Sequence, residues 1–203
     1  MDKKEHWEAV YEKKVFEESS WYQKVPKDSL HIIHGCNLAF ESKIIDVGSG
    51  ESFLSDELFN LGYSNLTALD ISQKAIERIQ KRFAEKDRKI EGIAEDVLNA
   101  KLNGPYDLWH DRAVFHFLTV QEEIEKYVDI IGKEIRPGGY FFVATFAHDG
   151  PEKCSGLSVT RYSEENLVKT LGTRFNKIEC SHVEHKTPNE KVQKFIFCLF
   201  QHK

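Results

Sequence analysis

The sequence has no long apolar run, no excess of basic residues and no closely spaced cysteines. No apolar stretch among the 203 residues reaches the roughly 18 residues of a transmembrane helix. The first five residues lead into no apolar core, so we expect no signal peptide. A net charge of −5 argues against a broad nucleic-acid surface, although it is compatible with a local basic patch. These absences favour a cytoplasmic protein that has no membrane partner.

The four cysteines are scattered along the chain, and no Cys-x-x-Cys pair occurs. They are Cys36, Cys154, Cys180 and Cys198. This spacing fits the reduced thiols of a cytosolic protein better than a zinc site or a disulfide framework. We therefore predict free thiols and no metal site.

The composition that is present is that of an ordinary globular domain. Hydrophobic residues make up 40% of the chain and charged residues 30%, and the length suits one domain. We predict an N-terminal helical arm at residues 1–40, belonging to the same domain as a core at residues 41–203. In the arm we predict helices at 4–14 and 29–36.

From residue 43 onward, strand and helix patterns alternate. Strands are predicted at 44–47, 66–69, 90–94, 106–110 and 140–146. Four helices are predicted in this region. The first spans 53–61, with Leu54, Leu58 and Leu61 on one face, and the second begins after Ser72, its N-cap. The third runs from a capping box at Thr119–Glu122 to Ile135, and the fourth spans 163–171. Residues 136–139 are predicted as a turn and 147–161 as a long loop.

The last two predicted strands, at 176–185 and 192–200, are joined by a short turn around Pro188, so they should pair antiparallel. Residues 195–200 are apolar on both faces, which places that strand inside the sheet. The predicted fold is α/β: a doubly wound, mostly parallel seven-stranded sheet with an inserted antiparallel C-terminal strand and helices on both faces.

The stretch at residues 44–52 reads as a strand, a glycine turn and a helix start. Gly48 and Gly50 allow a tight turn and close approach to a ligand, which the first free N–H groups of the helix would face. A dinucleotide fingerprint would need a third glycine at position 53, where Phe53 stands. The phosphate loop with its Gly-Lys-Ser/Thr ending is also absent.

The stretch at residues 46–52 resembles the first motif of class I S-adenosylmethionine (AdoMet) methyltransferases. Asp46 stands for the acidic residue of that motif, and Ser52 stands where its third glycine usually is. The resemblance covers roughly residues 43–203. It implies that AdoMet is the cofactor and that Asp46 suits its ammonium group. Gly48, Ser49 and Gly50 belong to the same predicted cofactor loop.

Two further strand ends are acidic, at the edge where such sheets bind ligands. Asp70 can accept both hydroxyls of a ribose, and Ile71 follows it. Dehydrogenases also have an acidic residue that binds the ribose, so Asp70 alone does not indicate which cofactor is bound. Asp96 and Val97 resemble the family's adenine-binding motif, a position that NAD binding does not predict.

The strand-four stretch at 109–118, Trp-His-Asp-Arg-Ala-Val-Phe-His-Phe-Leu, carries the candidate catalytic residues His110, Asp111 and His116. A hydroxyl, thiol or ammonium acceptor must lose a proton, and a nearby base would help. The resemblance places His110 near the methionine end of the cofactor. The structural alternatives are that His116 packs between Phe115 and Phe117, and that Asp111 and Arg112 pair with each other or with the N-terminal arm. His148 and Cys154 of the long loop could line the acceptor site.

Aromatic residues are concentrated in the N-terminal arm. Trp21 and Tyr22 either anchor the arm or close over the cofactor, where aromatic faces attract a cation within ~6 Å. Together with Trp7 and Tyr11, they are similar to motifs of small single-domain methyltransferases. The chain also distantly resembles the methyltransferase-like protein-lysine methyltransferases, which often have an acidic residue where His116 stands.

The sequence thus predicts an enzyme that moves a methyl group from AdoMet to an N, O or S nucleophile of a small molecule or a protein side chain. A protein-lysine methyltransferase is the first alternative. An NAD-dependent oxidoreductase and a non-enzymatic AdoMet-binding protein are the others. The sequence assigns no oligomeric state.

Overall fold

The structure is a computed structural model that describes residues 2–13 and 15–203. The described chain separates into two compact units, Met1–Lys101 and Leu102–Lys203. The predicted division into an arm and a core is a division by role, and it stays a prediction. No helix in the described ranges is long and apolar enough to cross a membrane.

The first unit contains four helices and three parallel strands. The helices are α1 (Lys3–Lys13), α2 (Lys27–Gly35), α3 (Leu54–Asn60) and α4 (Gln73–Ala84), and the strands are β1 (Ile44–Val47), β2 (Leu66–Asp70) and β3 (Glu91–Ala94). Lys14, the predicted last residue of the first helix, lies outside the described residues. Every residue of β1 and β2 is buried, as expected of strands covered on both faces.

Helix α4 shows how the sequence determines local structure in this unit. The Ser72 hydroxyl caps the helix by accepting from the backbone N–H of Ala75, as predicted. Ile76, Ile79 and Phe83 recur at helical spacing and are each at most 2% exposed. They pack with Ala68 of β2 in one apolar cluster.

The second unit contains two helices and six strands. The helices are α5 (Gln121–Glu134) and α6 (Glu164–Leu171). The strands are β4 (Tyr106–Arg112), β5 (Ile135–Phe146), β6 (Lys153–Cys154), β7 (Leu157–Ser158), β8 (Phe175–Lys186) and β9 (Val192–His202). Short 3-10 turns lie at Phe16–Glu18 in the first unit and at Phe115–Phe117 in the second.

Seven strands form one sheet in the order β3-β2-β1-β4-β5-β9-β8, while β6 and β7 form a separate hairpin. β9 runs antiparallel to both β5 and β8. The predicted seven-stranded, mostly parallel sheet with an inserted antiparallel strand is confirmed. Residues 195–200 are all buried, which confirms the interior position of that strand.

Three local predictions were wrong. Leu61 is 52% exposed, because α3 ends at Asn60 and Leu61 is its C-cap. The N-cap of α5 is Val120 and no side chain caps it, so Thr119 forms no capping box. The β6–β7 hairpin occupies part of the predicted loop at 147–161.

The boundary between α5 and β5 also differs from the prediction. Ile135 belongs to the strand, and residues 136–139, predicted as a turn, form an irregularity within it. The register passes from Tyr106 opposite Ile135 to Leu108 opposite Tyr140. Gly138 has a φ of +75°, a conformation that favours glycine and lets the extra residues bulge out of the ladder.

The prediction of four free thiols was wrong for one pair. Cys180 and Cys198 are disulfide-bonded, with Cα atoms 4.1 Å apart. The cause is the register of the terminal strands, which places Cys180 of β8 directly opposite Cys198 of β9. Cys36 and Cys154 are buried and take no part in this disulfide, as predicted.

Candidate active site

The glycine turn after β1 takes the conformation that the sequence predicted. Gly48 and Gly50 have φ values of +65° and +52°, which a residue with a side chain rarely adopts. Between them, the Ser49 N–H donates to the carbonyl of Leu69. The Ser49 hydroxyl is buried and has no hydrogen-bond partner among the described residues. A buried hydroxyl without a partner is a group that a ligand could satisfy.

Asp70 ties the end of β2 to this turn. Its carboxylate accepts from the backbone N–H groups of Gly50 and Ser72, both at 2.9 Å. The pKa of Asp70 is raised to about 6, chiefly by burial and to a smaller extent by the negative charges of Asp46 and Glu8, while the two backbone hydrogen bonds oppose the rise. Three carboxylates therefore act on one another here, an environment that suits a positively charged ligand.

The end of β3 joins the same group. The Glu95 N–H donates to the carbonyl of Asp70 at 3.0 Å. Asp96 accepts from the Leu98 N–H at 2.9 Å, and Val97 between them is buried. The loops after all three strands of the first unit thus present the predicted residues from one edge of the β1–β2–β3 ladder, as the parallel pairing requires.

The N-terminal arm covers the glycine turn. A Cβ atom added at Gly50 would lie 2.5 Å from the hydroxyl oxygen of Tyr11. The rings of Trp7, Tyr11 and Trp21 lie within 6.2 Å of one another. Tyr22 instead packs on Phe16, with ring centroids 5.1 Å apart.

Glu8 fixes this arm to the start of α4, a contact that the sequence analysis missed. Its carboxylate accepts from the Ser72 hydroxyl at 2.9 Å and from the Gln73 N–H at 2.7 Å. These are groups at a helix N-terminus, where a negative side chain is favourable. Glu8 lies four residues before Glu12, a spacing that does not indicate this contact. The contact could not be predicted locally, because Glu8 lies more than sixty positions before Ser72 and Gln73.

In the second unit, Asp111 is completely buried at the end of β4. Its carboxylate accepts from the Val114 N–H at 2.8 Å, from the Phe115 N–H, and from the Tyr127 hydroxyl. Burial raises the pKa of Asp111 to about 6, while these hydrogen bonds oppose the rise. The Asp111 carboxylate therefore stabilises the turn that follows β4 by accepting hydrogen bonds from its backbone.

His116 lies in that turn and is also completely buried. Its Nδ1 accepts from the Phe146 N–H at 3.3 Å, so the ring proton must be on Nε2. Nε2 has no partner among the described residues. Burial and the nearby charge of Arg112 lower the pKa of His116 to about 3. The ring is therefore neutral at physiological pH and can donate from Nε2.

His110 and the loop residues are placed differently. The His110 ring is 2% exposed and stacks on Phe142, with centroids 4.7 Å apart. His148 is exposed, whereas Cys154 is buried in the β6–β7 hairpin. No described contact links His148 with Cys154.

A family model described as a methyltransferase domain matches residues 40–196. The chain belongs to this methyltransferase family. The methyltransferase is 27% identical over 161 residues to EEF1A lysine methyltransferase 2 of Danio rerio, which covers 70% of this chain and 67% of that protein. It is an AdoMet-dependent enzyme, and AdoMet supplies a methyl group on a sulfonium sulfur.

Solved structures support the fold of the methyltransferase. A protein from a study of disulfide-to-thioacetal conversion in echinomycin biosynthesis matches with a TM-score of 0.80 at 15% identity, over 100% of this chain and 93% of that one. The N-methyltransferase NodS from Bradyrhizobium japonicum WM9, in complex with S-adenosylhomocysteine, matches with a TM-score of 0.68 at 15% identity, over 96% and 97%.

The first unit fits the cofactor of this family. AdoMet carries two ribose hydroxyls, a positive charge and several groups that need hydrogen-bond partners. Asp70 offers acceptor oxygens, Asp46 and Glu8 add negative charge, and the Ser49 hydroxyl has no hydrogen-bond partner in the described part of the chain. The donors and charges present are therefore those that the cofactor requires.

Proposed function

We propose that this methyltransferase transfers the methyl group of AdoMet to an N, O or S nucleophile of a small molecule or a protein side chain. The observation that carries the proposal is the Asp70 carboxylate, which joins the glycine turn to the start of α4. We assign cofactor binding to Trp21, Tyr22, Asp46, Gly48, Ser49, Gly50, Asp70, Ile71, Asp96, Val97 and His110.

The acidic and aromatic residues of this set have separate roles in the proposal. Asp70 accepts from the ribose hydroxyls with the lone pairs that the backbone N–H groups leave free. Asp46 faces the ammonium group, and Asp96 accepts from the adenine amino group beside the Val97 N–H. Trp21 reaches the glycine turn through its ring contact with Tyr11, 6.2 Å between centroids. Tyr22 supports the arm through Phe16.

The acceptor side of the proposal consists of His110, Asp111 and His116. Methyl transfer is an in-line displacement, so positioning of the acceptor is the main demand on the protein. His116 suits a hydrogen-bond donor better than a base, because its Nδ1 lone pair is already used. Asp111 suits a positioning role, because its oxygens already accept three groups. His110 is then the candidate among the three for receiving a proton.

A lysine side chain of a protein is the alternative acceptor, and the relative from Danio rerio favours it. Arg112 already places positive charge beside His116. A lysine would therefore have to enter this part of the protein as a neutral amine. A small acidic acceptor, such as a thiol or a phenol, would meet no such barrier.

Calorimetric titration with AdoMet, S-adenosylhomocysteine and NAD tests the cofactor assignment. We expect micromolar binding of the first two and none of NAD. Asp70→Ala should weaken binding, whereas Asp107→Ala, which removes an ion pair with Arg136 in the second unit, should leave it unchanged. Binding of NAD alone would overturn the proposal.

An acceptor screen tests the reaction. Methyl-labelled AdoMet is supplied with thiols, phenols, amines and lysine-containing peptides at equal concentration. Transfer to a small acidic acceptor supports the main proposal, and transfer to peptide lysine alone supports the alternative. Binding of AdoMet without transfer to any acceptor would favour a non-enzymatic cofactor-binding protein.

We also propose a cytoplasmic location. The Cys180–Cys198 pair tests it, because a disulfide is uncommon in a reducing compartment. Rapid alkylation of thiols in intact cells should find this pair reduced if the protein is cytoplasmic. A pair that is fully oxidised in cells would argue against that location.

A further inference from the structure

Trp109, Tyr127 and Asp111 form a one-way chain of hydrogen bonds inside the second unit. The Trp109 indole N–H donates to the Tyr127 hydroxyl oxygen at 3.0 Å, and the Tyr127 hydroxyl donates to Asp111 Oδ2. All three side chains are completely buried. The indole can only donate and an ionised carboxylate can only accept, so the direction of the chain is fixed.

The carboxylate at the end of this chain holds an unusual turn. After β4, Ala113 has a φ of +72°, in the left-handed region that a residue with a Cβ rarely enters. The next two backbone N–H groups, of Val114 and Phe115, both donate to Asp111. The Ala113 N–H itself donates to the carbonyl of Ala144 on β5 at 2.8 Å. Without the carboxylate, these two donors would lose their acceptor, and the one on Phe115 is buried.

The same turn connects Arg112, the last residue of β4, with His116, which is assigned to the acceptor side. Arg112 precedes Ala113, and His116 follows it by three residues. His116 is held from two other directions, because its Nδ1 accepts from the Phe146 N–H and its carbonyl accepts from the Thr160 N–H at 2.8 Å. The placement of His116 against the end of β5 therefore depends on the conformation that Asp111 maintains.

We propose that Tyr127, on α5, is a positioning residue for methyl transfer: its hydroxyl, oriented by Trp109, keeps Asp111 in place and so sets the position of Arg112 and His116. The proposal rests on the function proposed above for the acceptor side. Tyr127 contacts the acceptor only through these residues. It differs from an ordinary core residue because its polar end controls the charge state of Asp111.

The charge state of Asp111 gives the proposal a pH signature. The groups that act on this carboxyl are the Tyr127 hydroxyl, which lowers its pKa, the backbone donors of the turn, and His110, which also lowers it. Tyr162 also interacts electrostatically with Asp111: burial and then the negative charge of Asp111 raise the pKa of Tyr162. Removing the Tyr127 hydroxyl should raise the pKa of Asp111 toward neutrality, so that part of the protein has a protonated Asp111 at pH 7.

Tyr127→Phe tests the proposal, with Tyr162→Phe as its matched control. Both rings pack on Phe115, with centroids 5.3 and 5.2 Å away, and each variant loses one buried hydroxyl. The Tyr162 hydroxyl has no hydrogen-bond partner among the described residues. For Tyr127→Phe we expect kcat to fall about tenfold at pH 7, because displaced Arg112 and His116 would position the acceptor less well for methyl transfer. The AdoMet Kd should stay within about twofold of wild type.

The pH profile separates positioning from general damage. In Tyr127→Phe the acidic limb of kcat should move up by about one pH unit, the scale of one lost hydrogen bond, and activity should partly recover at higher pH. Tyr162→Phe should keep the wild-type profile. An unchanged kcat in Tyr127→Phe, or a loss equal at all pH values, would refute the proposal.

A second measurement covers the cases in which Tyr127→Phe does not fold or no acceptor has been identified. Trp109→Phe removes the upstream donor, together with part of a buried ring, and should show the same changes in smaller size. Imidazole nitrogen NMR of the apoprotein reports the Nδ1 hydrogen bond of His116 without any turnover. A changed His116 signal in either variant supports the proposal, and an unchanged signal refutes it even where AdoMet binding and methyl transfer are normal. Failure of wild-type methyl transfer, in contrast, would refute only the proposed function.

Discussion

Replacing Asp70 with asparagine removes a buried charge and nearly keeps the shape of the side chain. In the folded protein the pKa of Asp70 is raised from 3.8 to about 6, chiefly by burial. Each pKa unit is worth about 1.36 kcal/mol, so the wild type loses about 3 kcal/mol of folding free energy through this residue as pH rises from below 4 to above 6. The sign follows because the folded state holds the proton more tightly than the unfolded state. Asparagine cannot ionise, so the variant should show no such loss.

The substitution also has a cost that does not depend on pH. The asparagine oxygen can accept from only one side, so either the Gly50 or the Ser72 N–H faces an amide NH2 group. A buried donor without an acceptor costs about 1–3 kcal/mol. We therefore expect Asp70→Asn to be less stable than wild type at pH 4 and about as stable at pH 7.

Urea denaturation at pH 4, 5, 6 and 7 without AdoMet measures this effect. The quantity of interest is the difference in unfolding free energy between variant and wild type, since other titrating groups cancel in it. It should change by about 2.4 kcal/mol in favour of the variant between pH 4 and pH 7, because the unfolded carboxyl is already partly ionised at pH 4. Leu66→Ala on the same strand has no ionisable group and should give a constant difference. A difference that is also constant for Asp70→Asn would refute the reasoning.

Other perturbations test the cofactor site and the acceptor side separately. Asp70→Ala should weaken AdoMet binding by roughly 1.5–3 kcal/mol in calorimetry, the scale of hydrogen bonds to a charged group. The affinity of the wild type should also decrease below about pH 6, because this carboxyl is then protonated. Equal affinity for variant and wild type would refute the assignment of Asp70 to the ribose. Gly50→Ala places a Cβ 2.5 Å from the Tyr11 hydroxyl at a φ of +52°, so AdoMet binding should weaken, and adding Tyr11→Phe should restore part of it. No restoration would mean that backbone strain, and not the clash, causes the loss. His116→Ala should lower turnover at a nearly unchanged AdoMet Kd; a large loss of affinity would instead connect His116 with the cofactor.

Much of the fold could be predicted because local rules and tertiary packing agree there. The Ser72 cap, the apolar face of α4 and the interior position of β9 all follow from short sequence patterns. The capping box at Thr119 failed because the helix begins one residue later than the motif requires. The same kind of rule thus succeeded at Ser72, whose backbone N–H is held by Asp70 at the end of β2, and failed at Thr119.

The residues of the candidate site could be predicted from the sequence, but the groups to which they hydrogen-bond could not. Asp70 and Asp111 are both recognisable as acidic residues at strand ends. Only the structure shows that Asp111 is completely enclosed and bonded to Tyr127, which reads in the sequence as an apolar position of α5. The Cys180–Cys198 bond was missed for a similar reason, since the register of β8 and β9 decides which residues face each other.

The position of β9 between β5 and β8 has a consequence for synthesis on the ribosome. Val143 of β5 pairs with Cys198, more than fifty residues later, so β5 leaves the ribosome well before its partner exists. Until residues 192–202 emerge, β5 presents an unpaired and almost wholly apolar edge, the kind of surface that joins other chains. The second unit can therefore complete its part of the sheet only after residues 192–202 have emerged, and its folding competes with association throughout that interval.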